Sequence, residues 1–401
     1  MLNDSQIENL IKPFTDRQQL LESFVLNTIA ERVGEIGTLS KTDVYRLQQL
    51  YKTGSNAKLI TQEIARVLNI QEKSAKQMIK EVAITTYKDA KPFYDYRHKT
   101  QIPFEKNTKL QRSVNAIGKQ TADTFKNLSN SKAIGFYIRN PKATQTLKFQ
   151  TVTETYQSVI DEAVQAVQTG VLDFDTAMRR TLKQLNDSGL RRAYWESGYS
   201  RRLDSTVRMN ILGGIRQINQ QVQLQIADEI KADGIELSAH SFSAPDHEPI
   251  QGHIFTMKEF DKMQNEMSFE DVLHNKFPAM RRPIGEWNCK HFTTAIIIAK
   301  HKPVWTISDL EELKQENKAG YTLENGKHLT MYECTQVQRN YETGIRYAKE
   351  GYMMAKSAKN EELMEYYKTR INKLNREYNQ FSKDCGLNKQ KNRASVSGFS
   401  Y

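Results

Sequence analysis

The sequence predicts a mainly α protein with a small α+β module, and three observations predict it. Apolar residues recur at spacings of three, four and seven along most of the chain, the stripe of amphipathic helices. Two short stretches, residues 235–239 and 253–257, alternate apolar with polar and read as strands. Around them the composition changes. Five of the eight histidines lie between Ser238 and His291, and five of the nine prolines lie there or just beside it. Residues that fix the backbone and carry polar side chains concentrate in this stretch, so a functional site is expected there. The resulting architecture is a helical N-terminal region, a central α+β motif module and a C-terminal helical hairpin.

Residues 1–90 form the N-terminal helical region. Ile7, Leu10, Ile11, Phe14, Leu21, Phe24 and Val25 share one stripe, and Pro13 predicts a kink or break in it. Ser40-Lys41-Thr42-Asp43 has the form of a capping box ahead of a short helix through Tyr51. Residues 56–68 and 71–82 then read as a helical pair turning at Asn69-Ile70. With Lys73, Lys76 and Lys80 on its second member, the pair resembles a helix-turn-helix. No arginine fork for base edges is present, so a hairpin packed on its neighbours is the favoured reading.

Residues 91–150 read as a linker or docking segment. Lys91-Pro92-Phe93-Tyr94 and Ile102-Pro103-Phe104 interrupt helical periodicity, a polar helix follows over 110–128, and 133–141 is extended up to an Asn-Pro turn. In the middle helical region, 151–231, helices are expected over 151–169, ending at Gly170, over 174–185, and over 205–230. Gly213-Gly214 weakens the last by about 1 kcal/mol per glycine and marks close packing or a bend. Residues 232–305 form the α+β motif module, with 292–299 suited to a buried strand or short helix. The C-terminal helical hairpin, 306–387, opens on an acidic turn at Ser308 and reverses near residues 356–360. Residues 388–401 are basic, then serine-rich, and are expected to form a mobile tail.

A chain of 401 residues exceeds the usual single hydrophobic core. The 58 basic residues exceed the 47 acidic ones, giving +11, a mild tilt toward polyanions. Cys289, Cys334 and Cys385 are odd in number and far apart, which argues against a secreted disulfide framework and favours a reducing cytoplasm. The first residues lack the pattern of a signal peptide, and the longest apolar run, near 295–299, falls far short of a bilayer span, so no membrane anchoring is expected. There is no P-loop, dinucleotide glycine turn, His-Glu-x-x-His or Cys-x-x-Cys.

An ordered series of motifs remains: Tyr199-Ser200-Arg201-Arg202-Leu203-Asp204, Ser238-Ala239-His240, Pro245-Asp246-His247, Gln251-Gly252, Asn288-Cys289-Lys290-His291, and Tyr332-Glu333-Cys334-Thr335-Gln336. In order and content it resembles the tailed-phage minor capsid protein 2 family, which is related in its central motif to Mu F-type head morphogenesis proteins. The likeness covers about residues 150–392; the N-terminal third resembles the family only in being helical. Phe242-Ser243-Ala244-Pro245 replaces the family's usual Gly-Ala-Arg-Pro, Ile250 replaces a tryptophan, and Lys290 replaces an arginine, keeping charge while losing the bidentate fork.

The resemblance implies a low-copy structural protein of the virion, made in the host cytoplasm and found in the capsid interior or at the portal vertex. It implies action in head assembly and in DNA packaging or ejection. The implied partners are the portal protein, the major capsid or scaffolding protein, and packaged double-stranded DNA bound non-specifically, with an oligomer on the portal ring. Two rival readings stand beside it. One is a metal-dependent hydrolase or nuclease built on His240, Asp246, His247, Cys289 and His291; the other is a helix-turn-helix DNA-binding protein built on residues 56–82. For His240, Asp246, His247, Gln251, Gly252, Asn288, Cys289 and His291, the favoured expectation is a hydrogen-bonded polar cluster with no cofactor, pinning the loops of the module together. Zinc on His240, His247, Cys289 and His291 is the alternative, because His-x6-His and Cys-x-His depart from the usual ligand spacings.

Overall fold

The computed structural model describes residues 4–38, 55–128, 133–139, 147–169, 174–194, 199–267, 269–270, 276–277, 280, 282–285 and 289–401. The expected capping box at 40–43 with its helix, the Asn140-Pro141 turn, Gly170 and Asn288 lie outside them. The chain is mainly helical with small antiparallel sheets. It divides into two compact units, each assembled from separated segments: residues 1–11, 72–123 and 209–337 in the first, and 12–71, 124–208 and 338–401 in the second.

Helix α1, Asp4–Gly37, runs through Pro13 without the expected break. A single proline removes one ladder hydrogen bond, while Ile11, Phe14, Leu21 and Val25 keep the apolar stripe buried across it. Helix α2, Ser55–Asp89, is likewise one element, so neither the helical hairpin expected over 56–82 nor its helix-turn-helix alternative is formed. Asn69-Ile70 contains neither glycine nor proline, and the buried Gln71 Nε2 donates to the Phe14 carbonyl. That leaves no reason for the helix to stop.

In the first unit the aromatic segment docks. Tyr94, from the short helix α3, Lys91–Tyr96, and Tyr87 both donate hydroxyls to Glu229. Asn107 and Gln225 donate to the same carboxylate at 3.1 and 2.8 Å. Helix α4, Thr108–Leu128, follows. Of the paired glycines, Gly214 is the one that close packing requires: a Cβ there would meet Thr121 Oγ1 at 2.5 Å, whereas Gly213 faces open space.

The module of this unit is a three-stranded antiparallel sheet with Gly234–Leu237 at its centre, Ile254–Thr256 on one side and Thr293–Ile296 on the other. Ile235 pairs with both Phe255 and Ala295 in the register, and all three side chains are buried. Thr256 ends the second strand and opens the helix Met257–Glu266 through a reciprocal capping box with Glu259. Thr306 and Asp309 do the same for Ile307–Ala319.

The second unit carries a four-stranded antiparallel sheet in which Leu147–Thr151, Ile134–Arg139, Arg191–Tyr194 and Tyr199–Arg202 lie in that order. The helices Val152–Thr169 and Phe174–Ser188 accompany it. The helical hairpin, Met331–Ser357 and Glu361–Asp384, turns where expected, and its residues from Gln338 onward belong to this unit. Residues 388–401, expected to be mobile, instead fold back on the hairpin. Ala394 is buried with Ile345 and Tyr378, Lys349 donates to the Ala394 carbonyl at 2.8 Å, and Phe399 and Tyr401 stack edge-on against Tyr352. Those small apolar and aromatic residues, set among serines and lysines, give the segment a face to bury.

A cluster of ions lies in the interior of this unit. Arg202 Nη2 donates to Glu22 at 2.5 Å and to Glu350 at 3.2 Å, and Arg346 Nη2 donates to Asp204 at 2.6 Å. Burial and the neighbouring Glu22 push the Glu350 carboxyl up to about 8.

Candidate functional site

Three short segments of the first unit build the site. The turn after the central strand carries His240 and Ser243, a 3-10 turn at Glu248–Ile250 is preceded by His247 and followed by Gln251, and the segment before the last strand carries Cys289 and His291. Their bases are tied together: Ser238 N donates to the Phe292 carbonyl at 2.9 Å, and Phe292 N donates to Ser238 Oγ at 2.9 Å. Gly252 has φ +71°, and a Cβ there would approach Leu310 Cδ2 to 2.4 Å. Backbone conformation and packing thus both require the glycine of the Gln-Gly pair.

His291 lies at the centre. Its Nδ1 is 3.4 Å from Cys289 Sγ, and its Nε2 is 3.4 Å from both Gln251 Oε1 and Ser243 Oγ. Its backbone N–H donates to Cys289 Sγ at 3.4 Å, and its carbonyl accepts from Arg216 Nη1 at 3.0 Å. The rings of His240 and His247 stand 4.6 and 5.4 Å from its own. His247 Nε2 donates to the Arg282 carbonyl at 3.0 Å, and its buried Nδ1 has no hydrogen-bond partner among the described residues. The ligand-capable atoms of His247, Cys289 and His291 all lie within 4.8 Å of one another.

The electrostatics follow from this crowding. Burial opposes ionisation of Cys289, yet the neighbouring His247, His291 and Arg216 hold its thiol well below the usual range. Burial disfavours a charged His247, and the Cys289 sulfur more than offsets it, so that imidazole is raised. Burial lowers His291 despite the same sulfur. Burial and repulsion from His291 push His240 down to about 3.

Of the expected residues, His247, Cys289 and His291 meet directly. His240 borders them by its ring, and Gln251 bridges, accepting the His240 backbone N–H at 3.2 Å. Asp246 stands further out, 3.7 Å from His247 Nε2 and 3.6 Å from Arg282, too long for a direct hydrogen bond. Ser243, Arg216 and Arg282 are members that the sequence reading missed. Arg216 left a signal, since a cation between Ile215 and Ile218 on a buried stripe needs a partner.

A family model described as phage minor capsid protein 2 matches residues 2–383. The match begins well before the motifs that carried the resemblance and takes in the N-terminal third. No curated protein and no solved structure matches. The class is therefore a structural component of the phage virion, helical, with a small sheet module. The chain belongs to the phage minor capsid protein 2 family. No helix among the described residues is long and apolar enough to cross a membrane.

Proposed function

We propose that the protein is a low-copy head component seated at the portal vertex, facing the capsid interior and acting in head assembly and in DNA packaging or ejection. The observation that carries this reading is the family match over residues 2–383. The portal protein is the first partner, the major capsid or scaffolding protein the second, and the chain forms an oligomer on the portal ring. A net charge of +11 suits non-specific contact with packaged double-stranded DNA.

A structural role also fits the candidate site better than hydrolysis does. His247, Cys289 and His291 are 0, 1 and 2% exposed, burial that suits a structural site better than one that must admit a substrate. Chemical cross-linking and mass spectrometry of purified procapsids and mature particles test the reading. Peptides of the chain cross-linked to portal peptides are expected, and their absence from both particle types would remove it.

A further inference from the structure

The buried site brings three ligand-capable side chains together and includes an imidazole nitrogen, His247 Nδ1, with no hydrogen-bond partner among the described residues, and this points to a ligand. The His247 Nε2–H donates to the Arg282 carbonyl, so Nδ1 bears that ring's lone pair. Gln251 Oε1 accepts the His240 backbone N–H, which fixes the amide with its oxygen toward His291. With the hydrogen on His291 Nε2 toward Gln251 Oε1, the Nδ1 lone pair faces Cys289 Sγ at 3.4 Å, and the Ser243 hydroxyl accepts beside Gln251; in the other tautomer that hydroxyl donates to Nε2. Two imidazole lone pairs and a sulfur thus converge, while the thiol brings one proton. In this tautomer, whichever imidazole takes that proton, the other is left as a buried acceptor with no donor among the described residues.

We propose that His247 Nδ1, His291 Nδ1 and Cys289 Sγ hold one zinc ion. Ordinary Zn–S and Zn–N lengths put ligand sulfur and nitrogen about 3.6 Å apart around a tetrahedral ion, close to the 3.4 Å between Cys289 and His291. Both imidazoles already donate their outer N–H to a fixed oxygen, the arrangement that orients metal-bound histidines. The His291 backbone N–H donates to the sulfur and supports its thiolate form. On binding, the Cys289 proton leaves to solvent, and a dication meets one thiolate and two neutral imidazoles. The ligands are far apart in sequence because the strands, not a local knuckle, bring them together. The ion staples the turn after the central strand to the segment that leads into the last one.

The test uses the full chain, expressed with zinc and freed of loosely bound metal. About one zinc per chain is expected by elemental analysis, together with a sulfur-to-cobalt charge-transfer band when cobalt replaces it. Cys289→Ser and His247→Gln should each lose the metal, while His240→Ala keeps it. The cobalt band of the unsubstituted protein identifies the thiolate ligand even where a variant fails to fold. Zinc below about a tenth of an equivalent after reconstitution, with no cobalt band, would assign the cluster to a thiolate–imidazolium pair instead. Full zinc retention in both ligand variants would likewise overturn the site.

Discussion

The two units bury polar side chains in opposite ways. In the second, Glu22, Asp204 and Glu350 face Arg202 and Arg346, and the surplus carboxyl keeps its proton, as the raised Glu350 shows. That cluster pairs its charges, although Arg202 Nε and Nη1 and Arg346 Nε find no hydrogen-bond partner among the described residues. In the first, two imidazoles and a thiol face one another, and among the described residues no fixed cation is paired to the sulfur and His247 Nδ1 has no hydrogen-bond partner. A balanced cluster reads as architecture, whereas an unbalanced one of equal burial reads as a binding site.

The largest effect that can break this comparison is expected from Arg202→Ala. It strands Glu22 and Glu350 without their shared cation, and urea denaturation should show a loss of about 3–5 kcal/mol; a loss within about 0.5 kcal/mol would mean the carboxyls simply take up protons. Glu350 sharpens the same side through pH. Its folded value lies above its unfolded value, so its contribution is complete below about 4.5 and is lost as pH rises toward about 8. Melting temperature should decline across that window, and Glu350→Gln should flatten the decline.

On the other side, Gln251→Ala removes the oxygen that fixes His291. Stability should fall by about 1–2 kcal/mol and zinc affinity about 10–100-fold, measured by competition with a chromogenic chelator. His240→Asn should have the smallest effect, under about 1 kcal/mol with metal content unchanged. Loss of zinc in that variant would make His240 the fourth ligand.

What the sequence disclosed and what it hid follow one physical line. Local periodicity was enough for the helices and for strands 235–239 and 253–257, because burial of one face imposes it. The chemistry of the site was visible as residue types, and His247, Cys289 and His291 were among those singled out. Their meeting was expected from the strands that their segments flank; which atoms face one another was not visible, because it depends on the register that sets Thr293–Ile296 beside Gly234–Leu237. Arg191–Tyr194 and Tyr199–Arg202 escaped as strands because arginine, serine and tyrosine there do not alternate apolar with polar. Glu22 and Arg202 lie 180 residues apart, beyond any spacing rule. Pro13 and Asn69-Ile70 misled because local signals yielded to a continuous buried stripe.

The position of the central strand also bears on how the chain is made. Its first neighbour, Ile254–Thr256, follows soon after Leu237, but the tie between Ser238 and Phe292 spans 54 residues. At about 5–20 residues per second, a ribosome leaves that second edge open for roughly 3–10 s. For those seconds a bare row of backbone donors and acceptors stands beside buried-type side chains, a template for pairing with a neighbouring nascent chain. Slow synthesis in a crowded infected cell lengthens that interval, so yield of soluble protein should track translation speed through residues 238–292 more than through any helical stretch of equal length.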